Sequence, residues 1–152
     1  MKSVSIPGKE LVPIIKHTLK SGSDFKLLVT GNSMFPFLKH NRDSVLLTAV
    51  PNVGIKKGVI VFIQRENGEY VLHRVVKVLK NNTFLMNGDS QTWTEPVCNN
   101  QVFACVRALY RKGRIIRHSN LLYSLLVRIW ILLRPYRPKV FKLIRLFMKL
   151  VS

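Results

Sequence analysis

A compact, mostly antiparallel β domain with a short helix before it and two helices after it is the fold the sequence predicts. Three observations predict it. Short runs of β-branched and apolar residues recur at regular spacing with turn residues between them. Asn67-Gly68 separates two such runs, a strong signal for a tight hairpin. From about residue 114 the pattern changes to long apolar stretches studded with Lys and Arg at helical spacing. The chain of 152 residues is long enough for one modest core and an appendage, and too short for two full domains.

Taken in order, residues 8–20, "GKELVPIIKHTLK", put Leu11, Ile14, Ile15 and Leu19 on one helical face, and "SGSD" ends that helix. "FKLLVT" (25–30), "DSVLLTAV" (43–50), "VIVFIQ" (59–64), "YVLHRVVKVL" (70–79), "TFLMNG" (83–88) and "QVFACVRALYR" (101–111) read as strands. The organisation that follows is 1–24 as helix and lead-in, 25–112 as the β domain, and 113–152 as a basic, apolar helical tail. In the tail, Leu121–Leu133 is broken only by Ser124 and Arg128, and a Pro-Tyr-Arg-Pro break separates it from a second helix. There Val140, Phe141, Leu143, Ile144, Phe147 and Met148 form a stripe, while Lys139, Lys142, Arg145 and Lys149 lie off it.

The formal charge of +18 calls for an anionic partner, nucleic acid or an acidic membrane face. Apolar residues interleaved with Lys and Arg at helical spacing favour the membrane, through residues 114–152 lying in its plane, the alternative being that both helices pack onto the β domain or form a dimer contact. No specific nucleic acid is expected. The sequence shows no secretory signal peptide. No stretch reaches the roughly 18–20 uninterrupted apolar residues of a spanning helix. Cys98 and Cys105 have no CxxC or Cys/His spacing, so two free thiols are expected, with no metal and no cofactor.

The one small, nearly uncharged stretch in this basic chain is "TGNSMFPFL" (30–38), which sets Ser33 in a turn directly after a strand. Such a turn is ordinary structure unless a base stands opposite the serine, since an unactivated hydroxyl is a poor nucleophile. His17 falls in the N-terminal helix and His118 in the tail, and His40 reads as a surface loop residue. His73 sits mid-strand, where alternation sets it with Val71 and Val75 on one face and Leu72, solvated Arg74 and Val76 on the other.

"GNSMFPFL" resembles the G-x-S-M-x-P-x-L box of the signal peptidase I clan, which includes the self-cleaving repressors of the SOS response. "HRVV" stands forty residues after Ser33, resembling the H-R-[VI] pattern of the archaeal and endoplasmic-reticulum type. "LKHNRDSVLL", "KKGVIVF", "MNGDS" and "EPV" with "VFACV" resemble further boxes of that clan in order, so the resemblance runs from about residue 25 to 110. It departs at Arg42, where glycine is usual, and at Val59, where aspartate is. Members usually carry an N-terminal spanning helix, whereas this chain has its basic tail. The resemblance implies a β domain of the signal peptidase/SOS-repressor type and a serine endopeptidase that cleaves a signal or leader peptide. Ser33 would be its nucleophile, His73 its base and Asp89 the acid orienting His73, with Glu95 assisting or substituting. The Ser33 N–H would hold the oxyanion, with Gly31 and Asn32 in the same turn and Met34 and Pro36 shaping turn and groove. A precursor polypeptide is the implied partner, and the side of the membrane stays open. The rival readings are a cytoplasmic self-cleaving regulator of the same clan and a non-catalytic basic module binding membrane or nucleic acid. Against the regulator stand the lack of a preceding DNA-binding helix-turn-helix and of an Ala-Gly or Cys-Gly cleavage site.

Overall fold

The computed structural model of the chain describes residues 8–151. The lead-in that precedes the N-terminal helix lies outside the described residues. The elements are α1 (Gly8–Lys20), β1 (Phe25–Leu28), β2 (Asp43–Thr48), β3 (Ile60–Gln64), β4 (Tyr70–Val78), β5 (Thr83–Asn87), β6 (Glu95–Cys98), β7 (Val102–Arg111), β8 (Arg114–Arg117), α2 (Leu121–Leu132) and α3 (Arg137–Val151). The mainly β, antiparallel architecture with one helix before and two after it is as the sequence predicts.

All strands join one sheet in the order β1-β2-β7-β3-β4-β5-β6, and every pairing is antiparallel. The long β7 is its spine. On one side it pairs β2 from Cys105 to Arg111; on the other, β3 takes Val102–Cys105 and β8 takes Ala108–Arg111. Alternation along the central strands sends side chains to two buried clusters. Ile60 and Phe62 of β3 join Val45, Leu47 and Val106 in one, which α1 covers with Val12, Ile15 and Leu19. Val61 and Ile63 join Val75, Phe84 and Met86 in the other.

Two strands fall outside the sequence reading. β6 contains Pro96, which argues against a central strand, and β6 is the last strand of the sheet, where a missing N–H is tolerated. β8 is the return arm of a hairpin turned by Lys112 (φ 48°) and Gly113 (φ 78°), and four residues of "RIIR" show no alternation. The tail, separable by composition, is not separate in space: Tyr123 and Val127 of α2 belong to the first cluster. In α3 only Arg137 is buried. Both cysteines are free, Cys98 exposed and Cys105 buried. Among the described residues no helix is long and apolar enough to cross a membrane.

Candidate active site

The Ser33 turn grows out of β1. Val29 donates to the Asp43 carbonyl at 2.9 Å and accepts from Asn41 at 2.9 Å, closing the loop at its base. Gly31 then takes φ +81°, a left-handed conformation that a side chain disfavours. Its N–H donates to Nδ1 of His40 at 2.9 Å, so His40, exposed in the loop as expected, also ties down the turn. Beyond Ser33 the chain coils, with Phe35 donating to Asn32 and Leu38 to Met34. Met34 and Leu38 are buried in the first cluster and fix the turn to the core, while Gly31 and Asn32 are exposed. The Phe35–Pro36 bond is cis.

Asp43 closes the far end of this loop. It accepts from Lys39 N–H, from Arg42 through two nitrogens and from Arg111, which also bonds the Phe37 carbonyl. Burial alone would raise the Asp43 pKa, but these donors together hold the carboxyl below its ordinary value.

The carbonyl of Ser33 is clamped from across the molecule. Ser90 donates to it twice, from N–H at 2.9 Å and from Oγ at 3.1 Å. Gly88 lies so close that a Cβ there would stand 2.7 Å from the Ser33 oxygen, so only glycine allows this approach. Ser33 itself is half-buried and lines a cavity of about 780 Å³ with Gly31, Met34, His40, Val71 and Leu72. Its N–H makes no hydrogen bond among the described residues and is free to donate.

His73 is 2% exposed in β4. Its Nδ1 stands 3.2 Å from Glu95 Oε1, so with the proton on Nδ1 the imidazole donates to Glu95 and presents Nε2 as an acceptor. Glu95 is fixed in turn by Arg65, at 2.9 Å and 2.6 Å, and Arg65 also pairs with Glu69. Trp93 packs edge-on to the ring, centroids 6.4 Å apart. Burial pushes the His73 pKa below the ordinary imidazole value, with the Glu95 charge pulling the other way and Arg65 reinforcing burial.

Two expectations are corrected here. Asp89 is not the hydrogen-bond partner of His73, because both its oxygens accept from Arg74, at 2.8 Å and 2.7 Å. Arg74 is not solvated: both residues of this pair are fully buried. The alternation along β4 is as read, but the face given to Arg74 is the one that α2 and the Ser33 loop cover. Its guanidinium lies 4.8 Å from the Phe37 ring centroid and donates to the Gly58 carbonyl and the Tyr123 hydroxyl. Asp89 still belongs to the site, through the turn that clamps Ser33.

The structure therefore brings Ser33 to the 88–91 turn and His73 to Glu95. Val71 and Leu72, just before His73, border the Ser33 cavity, and Ser33 Oγ makes no hydrogen bond to His73. Sequence reasoning missed Arg65, Trp93, the bond of His40 to Gly31, and Trp130 and Arg137 of the tail. Arg65, the first residue after β3, and Glu95 of β6 lie thirty residues apart, β3 and β6 are not sheet neighbours, and no local pattern marks such a pair. The chain matches no family model and no curated protein.

Proposed function

We propose that this chain is a serine endopeptidase that cleaves a signal- or leader-type peptide while associated with an anionic membrane surface. The observation that carries the reading is the Ser33 turn. Its backbone is held from both sides, its N–H is free, and it opens on a cavity bordered by the strand that bears a buried, carboxylate-backed histidine. In this reading Ser33 Oγ attacks the scissile carbonyl and His73 Nε2 takes the proton. The protonated imidazole is stabilised by Glu95 and returns the proton to the leaving amine; water then releases the acyl group by the reverse roles. The Ser33 N–H donates to the oxyanion. β1 ends the strand order and its residues line the cavity, which suits an extended peptide laid along a sheet edge.

The membrane half of the proposal rests on the tail. Leu122, Leu125, Leu126 and Ile129 of α2, and Leu143, Leu146, Phe147 and Leu150 of α3, are exposed at helical spacing, more apolar surface than a soluble monomer ordinarily shows. Arg128, Lys139, Lys142 and Arg145 accompany them, the pattern of a helix lying in the interface plane.

A non-catalytic reading is favoured by one observation, the missing Ser33–His73 hydrogen bond. Catalytic hydrogen bonds are often long before substrate binds, so this does not outweigh the built turn. The test is cleavage of a precursor-peptide library by detergent-solubilised wild type, Ser33→Ala and His73→Ala. The peptidase reading predicts that only wild type cleaves. Equal behaviour of three folded proteins selects the non-catalytic module.

A further inference from the structure

The tail does more than offer a membrane face, because two of its residues reach into the turn that clamps Ser33. Trp130, at the inner face of α2, donates from Nε1 to the Asp89 carbonyl at 2.8 Å. Arg137, the first residue of α3, is fully buried, although arginine is almost never so without an acid to pair with. It makes no ion pair among the described residues. Instead one guanidinium nitrogen serves Asn87 Oδ1 at 2.8 Å, the Gly88 carbonyl at 3.0 Å and the Gln91 carbonyl at 2.5 Å. The other reaches the Trp130 carbonyl at 3.2 Å, and the guanidinium stands 5.2 Å from the Trp130 ring centroid. Its Nε is buried with no partner.

Burying an arginine against neutral acceptors is costly, so what it holds identifies its use. It holds the chain from Asn87 to Gln91, the segment whose Ser90 donates twice to the Ser33 carbonyl. Trp130 and, from α3, Phe141 contact the other side of the nucleophile turn. Phe37 meets Trp130 edge-on with centroids 6.2 Å apart, and Phe35 lies tilted against Phe141 at 5.9 Å.

We propose that Trp130 and Arg137 are positioning residues for the nucleophile, acting through the 88–91 turn, so that the tail is part of the active site's framework. The catalytic half of this inference rests on the peptidase reading; the clamp itself does not. A serine displaced by about 1 Å from its attack position loses on the order of 100-fold in rate, so the effect belongs in kcat.

The experiment uses the full chain in detergent, with Trp130→Phe, Arg137→Ala and Arg137→Lys beside wild type and Ser33→Ala. Kinetics are read on the library peptide that wild type cleaves best, and amide exchange is read at Ser90. Trp130→Phe keeps an aromatic ring while losing the N–H and the second ring of the indole, and it decides the matter if Arg137→Ala does not fold. The proposal expects kcat to fall by roughly 10- to 100-fold with KM little changed, Arg137→Lys to recover part of the loss, and Ser90 N–H to exchange faster. Folded variants that retain kcat and Ser90 protection overturn it. If wild type cleaves no better than Ser33→Ala, the peptidase reading fails, and the exchange arm still decides whether the tail holds the turn.

Discussion

At the scale of single residues, the site depends on which charge faces which. Burial lowers the His73 pKa and Glu95 partly restores it, so the neutral base is present at and below neutral pH. The acid limb of kcat/KM is therefore expected below about pH 6.5, the ordinary imidazole value. Glu95→Gln removes the upward pull and moves that limb lower still, which a pH–rate profile of the two proteins checks. A limb above the ordinary value would contradict this assignment. Asp89→Ala acts differently, since it strands the fully buried Arg74. A loss of about 3–5 kcal/mol is expected in urea denaturation, because an unpaired buried charge remains. That Ser33 lies in a turn after a strand and His73 on a later strand was legible, because a Gly-Asn-Ser turn and a histidine amid alternating residues are local patterns. The choice between Asp89 and Glu95 was not legible, since it turns on which strands the sheet makes neighbours and on an arginine that α2 buries.

At the scale of elements, most strands were legible from alternation and turn residues, and boundaries moved by a residue or two. The exceptions have physical causes. β6 survives its proline by lying at the sheet's end, and β8 exists because β7 outruns β3 and leaves backbone to pair. The tail helices were legible in type and their packing on the domain was one of the alternatives, but composition did not tell that α2 would bury Tyr123, Val127 and Trp130 there. What α2 and α3 leave outside makes a prediction. Phe147 is 67% exposed and Leu150 85%, so Phe147→Glu with Leu150→Glu is expected to abolish sedimentation with anionic vesicles while leaving the fold intact. Binding by wild type is expected to weaken with salt, since each Lys or Arg near the anionic face contributes about 1 kcal/mol. Sedimentation unaffected by the double substitution would remove the membrane half of the account.

Across the whole molecule, the tail, the Ser33 turn and the 88–91 turn form one packed unit, and its stability is tied to pH through His118. This half-buried residue stacks edge-on against Tyr123, and its Nε2 is sealed without a partner. Burial, helped by the nearby Arg74 charge, pushes its pKa from 6.5 down to about 4. The folded state thus favours the neutral ring. That contribution is complete above about pH 6.5 and is lost as pH falls toward 4. His118→Phe is expected to flatten this part of the stability profile, which denaturant midpoints across the range will measure. The central claim is that Ser33 and His73 act together on a peptide bond. Its most direct test is the cleavage of a precursor-peptide library by wild type, Ser33→Ala and His73→Ala, with folding of each verified. The account predicts defined cut sites for wild type and background for both variants. Cleavage that persists in either folded variant, or no cleavage by any of the three, would contradict it.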